Sequence, residues 1–473
     1  MISFKRVMAG TAALVMSLGI AACGNSSSST SSTEDESFTP TDNVEVADKA
    51  TIADIPEGVD GTIRYLGEND LNPTKANPEI STELKLFQNK GGAIEWTRCT
   101  NQDRFDALAK AIAANQNVPD IFKYEWLSFP AQVVNKMFQP IDEIVDFESP
   151  LWSGTKATAD QFVLNNKHYV APLAYDASAL ITYNKQTVED EGLEDPYELY
   201  QEGKWTWSEF KEIMDDYVSG ADADNPRYGI NGFFKPHITQ QTGKTLVSFD
   251  PATSMFASNL NDPDIEAAQN FLYNLRKEGL VLDGWIGSAS ECFQKNCFFY
   301  GMGAWAIKPG EEDNWGIVPM PAYDKDPQKI TTSDMNAFMW VRGSDKKDAV
   351  RTWFECYRSA RTDEEYKQTN KDKFMENNPY WTDEMYDVAQ SVVSDEYFMI
   401  FDYAFGVSFK LGDRTQFDGN QCLTDALYGS ASTQDDEGVQ MTWTQVRETY
   451  SGTVDTEVAN LNKAIEQYIA EDN

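Results

Sequence analysis

Residues 103–126 read DRFDALAKAIAANQNVPDIFKYEW. Phe105, Leu108, Ala109 and Ile112 recur at helical spacing, so Asp103 to Ala114 is predicted as an amphipathic helix. Asn115 to Pro119 stops it, and Ile121-Phe122 opens a short buried strand straight after Asp120. Upstream, Gly61–Leu66 (GTIRYL) reads as a strand, followed by the polar loop Glu68-Asn69-Asp70-Leu71-Asn72-Pro73. Downstream, Asp176 to Asn184 (DASALITYN) reads as another strand. Helical stripes follow at Ile265, Ala268, Leu272 and Leu275, ending at Gly279. Two more run through Ala349, Val350, Trp353, Phe354 and Tyr357, and through Val458, Leu461, Ile465 and Ile469. Strands alternating with helices define an α/β architecture. No internal repeat of about 20–50 residues interrupts the pattern.

Trp205-Thr206-Trp207-Ser208-Glu209-Phe210 reads as a helix start. Thr206 at the N-cap and Glu209 at N3 make a capping box, and Trp205 staples onto Phe210. These aromatics are therefore read as structural.

The chain has 473 residues and a net charge of −37, from 39 Lys plus Arg against 76 Asp plus Glu. The length suggests two or three domains. Hydrophobic residues at 41% supply a large core and exclude wholesale disorder. The acidic excess argues against nucleic acid, since neutralising phosphates needs clustered Lys and Arg. Beyond the N-terminus no stretch approaches the roughly 18 apolar residues of a membrane span. With only His168 and His237, a histidine-rich metal site is excluded, and neither histidine is assigned a role or a partner.

Met1 to Ala22 has the pattern of a secretion signal: Lys5 and Arg6, then an apolar run centred on Ala12 to Ile20. Ile20-Ala21-Ala22-Cys23-Gly24 resembles the bacterial lipobox, which implies lipidation of Cys23 and cleavage before it. The alternative is an ordinary signal peptide with an incidental cysteine. Asn25 to Thr33 (NSSSSTSST) is a flexible tether, and residues 23–60 are read as lipidated cysteine plus tether. Two acyl chains at about 0.8 kcal/mol per buried CH2 would anchor the protein firmly. Cleavage removes Lys5 and Arg6 and takes the charge from −37 to −39.

Cys99, Cys292, Cys297, Cys356 and Cys422 remain. Cys292 and Cys297 are near enough in sequence to bridge outside the cytoplasm, or to stay free. Cys-x4-Cys is a weak zinc pattern without further ligands. Asp222-x-Asp224-Asn225 begins like a calcium loop, but Pro226 and Arg227 stand where a Gly is needed and Phe233 where the closing Glu would be. No metal or cofactor is expected.

Five further pieces occur in order. They are Asn117-Val118-Pro119-Asp120-Ile121, then Tyr169-Val170-Ala171-Pro172 with Tyr183-Asn184-Lys185, then Trp205 to Phe210. Gly301-Met302-Gly303-Ala304-Trp305 and Asn314-Trp315-Gly316-Ile317-Val318-Pro319-Met320-Pro321 complete them. Together, from about Gly61 to Ile469, they resemble the extracellular solute-binding protein family 1 of ABC importers, which includes maltodextrin-binding proteins. Phe233 to Phe256 matches no motif, and Lys371 to Tyr380 looks like an insertion. The resemblance implies two discontinuous α/β lobes joined by a multi-strand hinge, of the periplasmic-binding-protein type II kind. The lobes are expected at 61–175 plus 332–393 and at 176–331 plus 394–473, with crossings near Asp176, Thr332 and Ser394. It implies a monomer that closes on a ligand in the interlobe cleft and docks on a membrane permease, on the outer face of the bacterial cytoplasmic membrane. No catalysis is required.

A saccharide has apolar C–H faces and many hydroxyls, so its cleft calls for aromatic rings with carboxylates or amides. Tyr124, Glu125 and Trp126 leave the strand after Asp120 and are either cleft or core residues. Tyr175-Asp176 resembles the position where maltodextrin binders place a carboxylate on sugar hydroxyls. Trp305 resembles the family's stacking aromatic, with burial as its alternative. Glu68 and Asn69 stand where the family contacts ligand, or are turn residues. Asp334 and Asn336 lie at the second crossing, where hinge hydrogen bonding is the rival role. Tyr403 and Phe405, in Phe401 to Phe405, supply a second aromatic wall or pack in the core. This set contains no Lys or Arg, which favours a neutral carbohydrate over a phosphate ester. The rival readings are a binder of another solute in the same fold, a surface adhesin, and an anchored glycoside hydrolase using Glu125 and Asp176. The last requires carboxyls about 5–5.5 Å apart for retention or 6.5–9.5 Å for inversion.

Overall fold

The computed structural model describes residues 38–42, 44, 46, 51–414, 421–429, 433, 434 and 438–472. The signal segment Met1 to Ala22, Cys23 and the Ser-rich run Asn25 to Thr33 lie outside the described residues.

Two sheets organise the chain. The first has five strands in the order Ala93–Arg98, Thr62–Gly67, Ile121–Lys123, Ser333–Trp340, Ala171–Ala177. The first three are parallel, and Ser333–Trp340 runs antiparallel between Ile121–Lys123 and Ala171–Ala177. The second sheet has the order Trp315–Pro319, Leu180–Asn184, Cys297–Met302, Tyr228–Gly232. Each sheet thus collects strands from distant parts of the sequence, giving two discontinuous α/β lobes.

The segment expected as one strand, Asp176 to Asn184, is two. Ala171–Ala177 belongs to the first sheet and Leu180–Asn184 to the second, with Ser178 and Ala179 between them. The chain returns at Ser333–Trp340, whose Asp334 lies directly opposite Asp176. The hydroxyl of Ser178 ties the crossings together: it donates to Thr332 O at 2.7 Å and accepts from Asp334 N–H at 3.0 Å. Beside them, Ile330–Thr331 pairs in parallel with Phe398–Met399. Three chain segments therefore run side by side between the sheets, the arrangement of a multi-strand hinge.

The helices form where their patterns require. Arg104–Ala114 begins after Asp103 and ends at Asn115 in the left-handed conformation. Lys347–Thr362 lies against Thr82–Asn89, with Phe87 edge-on to Trp353 at 5.3 Å. Trp205 and Phe210 make the expected staple, edge to face at 5.7 Å, and both are buried. The capping box is not made: Thr206 gives no side-chain cap to Trp207–Ser219. The orphan donors of that helix are met from another segment. Trp207 N–H donates to Ala322 O at 3.0 Å, and Ser208 N–H to the Asp324 carboxylate at 3.2 Å. Thr206 itself bridges to Ala322 and accepts from Phe210 N–H at 2.9 Å through its carbonyl, but its hydroxyl caps nothing.

The unmatched segment 233–256 forms the helix Lys235–Gln240 and most of a hairpin, Val247–Asp250 with Met255–Ser258. The insertion-like stretch 371–380 belongs largely to the helix Glu364–Asn377. Part of the segment expected as tether, residues 23–60, packs against the body of the chain. Val44 and Ile52 are buried, Thr41 bridges Glu79, and Asp54 pairs with Lys90 at 3.0 Å. The acidic composition of this stretch masked a few apolar side chains that the first lobe takes into its core. The C-terminal segment packs against the first sheet: Trp443, Val446, Val458 and Ile465 share one cluster with Phe105 and Phe122, which also takes in Val247 and Leu260. All five described cysteines are buried free thiols, so Cys292 and Cys297 do not bridge. Asp222 accepts from the N–H groups of Asp224 and Asn225, an Asx turn.

His168 does have partners. Its ring nitrogens face Asp142 at 2.7 Å and Asp160 at 3.0 Å. Burial works against the charge on all three groups. The pairing outweighs it, raising His168 and lowering both acids. The stabilisation from His168 is complete below its unfolded value near 6.5 and is lost as pH rises through its higher folded value. That from the acids is complete above about 3.8 and is lost in stronger acid. In urea unfolding, the wild type should exceed His168→Gln in stability between about pH 4 and 6.5, and the gap should narrow at alkaline pH. A gap independent of pH would show that the ring contributes packing alone.

Candidate functional site

In open α/β sheets, ligands bind outside the carboxyl ends of the strands. In the first lobe that edge carries Glu68 and Asn69 after Thr62–Gly67, and Tyr124 to Trp126 after Ile121–Lys123. Glu68 and Asn69 are exposed. Glu125 is gripped by Arg104, with Nε to Oε1 at 3.0 Å and Nη2 to Oε2 at 2.7 Å. Burial pushes the Glu125 carboxyl up, Arg104 opposes it, and the Glu68 and Asp413 carboxylates add to the rise. Glu68 and Glu125 therefore share one electrostatic neighbourhood. Arg104 was missed as a site residue, although a signal was available. A helix that follows a parallel strand starts at the strand's carboxyl edge, the same edge from which Glu125 emerges.

Trp126 is 43% exposed and stacks on Phe405 at 4.6 Å, with the Arg414 guanidinium 5.8 Å from its ring. Phe405 is held there by close packing. The neighbouring Gly406 lies so near the carbonyl of Phe129 that a Cβ would collide with it. Tyr124 sits edge-on to Phe162 at 5.1 Å, and its N–H donates to Ala337 O at 2.8 Å. Tyr403 is a core residue: its hydroxyl donates to Gln161 O at 2.7 Å and its ring meets Phe129, Phe162, Phe249 and Phe256. Tyr175 packs against the same core, and burial pushes its phenol up to about 12.

At the hinge, Asp176, Asp334 and Asn336 share one face of the antiparallel pair. Asn336 Nδ2 donates to Asp176 Oδ2 at 2.6 Å. Asp176 and Asp334 stand directly opposite each other, an arrangement that destabilises a sheet. Loss of solvent, then the Asp176 charge, pushes the Asp334 carboxyl up, while Lys123 pulls it down. Such a conflict between local stability and sequence is what a binding site retains.

Trp305 stands at the hinge edge of the second lobe and is 59% exposed. Gly303 makes room for it: a Cβ there would lie 2.7 Å from the indole nitrogen and 3.0 Å from Ser178 Cα. The tryptophan thus lies beside the strand that carries Asp176. The structure brings together Asp176, Asp334, Asn336 and Trp305 at the hinge, and Glu68, Glu125, Trp126 and Phe405 at the first lobe's edge. Tyr175 and Tyr403 join neither group. Cations are present too, which the sequence-based set did not contain. Arg104 binds Glu125, and Arg361, within electrostatic reach of Asp176, bonds to Glu83 at 3.4 Å. Among the described residues no cluster of three or more His, Cys, Asp or Glu could hold a metal ion. Among the described residues no helix is long and apolar enough to cross a membrane.

Two sheets joined by a hinge, with exposed aromatics and acids at that hinge, define a bilobal binding protein. The family model for bacterial extracellular solute-binding proteins matches residues 74–364, more than half of the 473, and the chain belongs to that family. It is therefore an extracellular solute-binding protein and not an enzyme. No curated protein sequence matches it. Solved structures share its fold. The ABC substrate-binding protein Lmo0181 of Listeria monocytogenes, in complex with cycloalternan, is 17% identical with a TM-score of 0.53, over 86% of this chain and 99% of that one. The sugar-binding protein MalE of Xanthomonas citri is 16% identical with a TM-score of 0.54, over 87% and 98%. The cyclic α-maltosyl-1,6-maltose binding protein of Arthrobacter globiformis is 13% identical, with a TM-score of 0.54 over 86% and 98%.

Proposed function

We propose that this protein is the solute-binding subunit of an ABC importer and captures a carbohydrate between its two lobes. The observation that carries the reading is the 59% exposed indole of Trp305, which packs on Gly303 next to Ser178, two residues beyond Asp176, while Asp176 and Asp334 stand opposite each other in the hinge strands. An indole face covers the C–H face of a sugar, and carboxylates accept from its hydroxyls at roughly 1.5–3 kcal/mol net each. The saccharide ligands named for several structures of this fold support the choice of solute. Asp176, Asp334, Asn336 and Trp305 form the hinge side of the site, and Glu68, Asn69, Tyr124, Glu125 and Trp126 the opposite side, with Phe405 behind Trp126. The lobes are taken as 61–175 with 332–393, and 176–331 with 394–473, the last segment laying Phe405 and Trp443 against the first lobe's core. Hinge closure traps the ligand, and the closed form docks on the permease. The protein acts as a monomer, tethered by lipidated Cys23 to the outer face of the bacterial cytoplasmic membrane.

Thermal unfolding against a panel of mono- and oligosaccharides, with amino acids and peptides as controls, tests the reading. Ligand at a hundredfold excess over Kd stabilises the folded state by about 2.7 kcal/mol. One saccharide class should raise the melting temperature. A rise with peptides alone, or with nothing, would refute the carbohydrate assignment.

A further inference from the structure

A cavity of about 180 Å³ opens on the second lobe beside Trp305, and none of the other candidate ligand residues lines it. Its walls include Trp305 and Trp315, Ser288 and Ser290, and Lys308. No carboxylate lines it. That volume falls short of the roughly 300–1,000 Å³ that holds a whole small ligand, so the cavity suits one substituent or one end of a larger molecule.

The polar groups here are donors. Ser288 Oγ already accepts from Glu291 N–H at 3.2 Å, and Ser290 Oγ from Gln294 Nε2 at 3.3 Å. Each hydroxyl keeps its own proton to give. Lys308 is exposed, and among the described residues no ion pair or hydrogen bond occupies it. Elsewhere in this acidic chain most lysines are paired: Lys185 with Glu384, Lys211 with Asp215 and Glu278, Lys325 with Asp264. The nearest acids along the chain, Glu311, Glu312 and Asp313, stay outside the cavity, and Asp313 is engaged by Gly310 N–H at 2.7 Å.

We infer that this cavity is an end subsite for an anionic substituent, a carboxylate or sulfate, on the saccharide that stacks on Trp305. The inference rests on the carbohydrate reading and refines it, because it turns the preference from neutral toward acidic sugars. A lysine ammonium is a compact point charge without the fixed fork of a guanidinium, so it serves either anion. Ser288 and Ser290, which line the same cavity, can add hydroxyl donors to that charge. The overall negative charge of the protein repels anions at long range, so the attraction must be local and sensitive to salt.

The test is calorimetric titration of the purified chain with maltose, cellobiose and laminaribiose, with their sulfate esters, and with their glucuronic-acid analogues. An acidic form should bind at least tenfold more tightly than its neutral parent at low salt, and the ratio should shrink at 0.5 M salt. Lys308→Met should bring that ratio close to one, and Lys308→Arg should preserve it. The carboxylate and sulfate series identify which anion is taken. Equal or weaker binding of the acidic forms, or a ratio untouched by Lys308→Met, would overturn the subsite and leave the carbohydrate reading standing. Failure of every saccharide to bind would overturn both.

Discussion

Trp305→Ala is expected to weaken saccharide binding by about sixtyfold to three-hundredfold and to leave the melting temperature nearly unchanged. One covered indole face removes roughly 80–100 Å² of apolar surface from water, worth about 2 kcal/mol at 25 cal/mol per Å². The ring quadrupole adds roughly 0.5–1.5 kcal/mol, and about 1.4 kcal/mol is one decade in Kd. The side chain is 59% exposed, so its removal leaves no core cavity. Surface substitutions of this kind stay within about 0.5 kcal/mol in stability. Trp305→Phe should recover part of the affinity. If Trp305→Ala lowers the melting temperature and spares binding, the indole is a structural group.

Asp402→Ala is expected to be among the most destabilising single substitutions, at about 3–5 kcal/mol in urea unfolding. Its carboxylate accepts from the N–H groups of Leu246 at 3.1 Å, Val247 at 3.2 Å and Ala404 at 2.9 Å, and from the Tyr428 hydroxyl. Burial pushes this carboxyl up, and the four donors oppose the shift. Alanine would strand all four donors, each costing about 1–3 kcal/mol where water cannot replace the acceptor. The effect reaches beyond one loop, because residues 246 and 247 lead into the hairpin Val247–Asp250 with Met255–Ser258, and Asp402 lies just past the third crossing. A loss below about 1 kcal/mol would show that water enters and satisfies these donors.

Much of this architecture is local, and local patterns are legible. The helix over 104–114 and the strand at 121–123 follow from apolar spacing and from the stop at Asn115 to Pro119. The Trp205–Phe210 staple follows from a five-residue offset. The break at Ser178 is not legible, because Asp176 to Asn184 reads as one extended run. Only tertiary pairing assigns its two halves to different sheets. The capping of Trp207–Ser219 by Ala322 and Asp324 is equally hidden, since its partners lie more than a hundred residues away. At the proposed site, the acids and aromatics are chosen by their place after strands or at crossings. Of their cationic neighbours, Arg104 could have been placed from its helix start at the same strand edge, but Arg361 and Lys308 could not. Arg361 lies in a helix whose pattern gives no reason to aim it at Asp176. Lys308 was invisible for the opposite reason: what marks it is a missing partner, which a sequence does not display.

The most direct test of the account is small-angle scattering from the purified chain, alone and with each member of the saccharide panel. Hinge closure on a saccharide should lower the radius of gyration for at least one sugar class, at the concentrations that raise the melting temperature. Contraction with a peptide or amino acid alone, or no contraction with any solute that binds, would contradict capture of a carbohydrate between the two lobes.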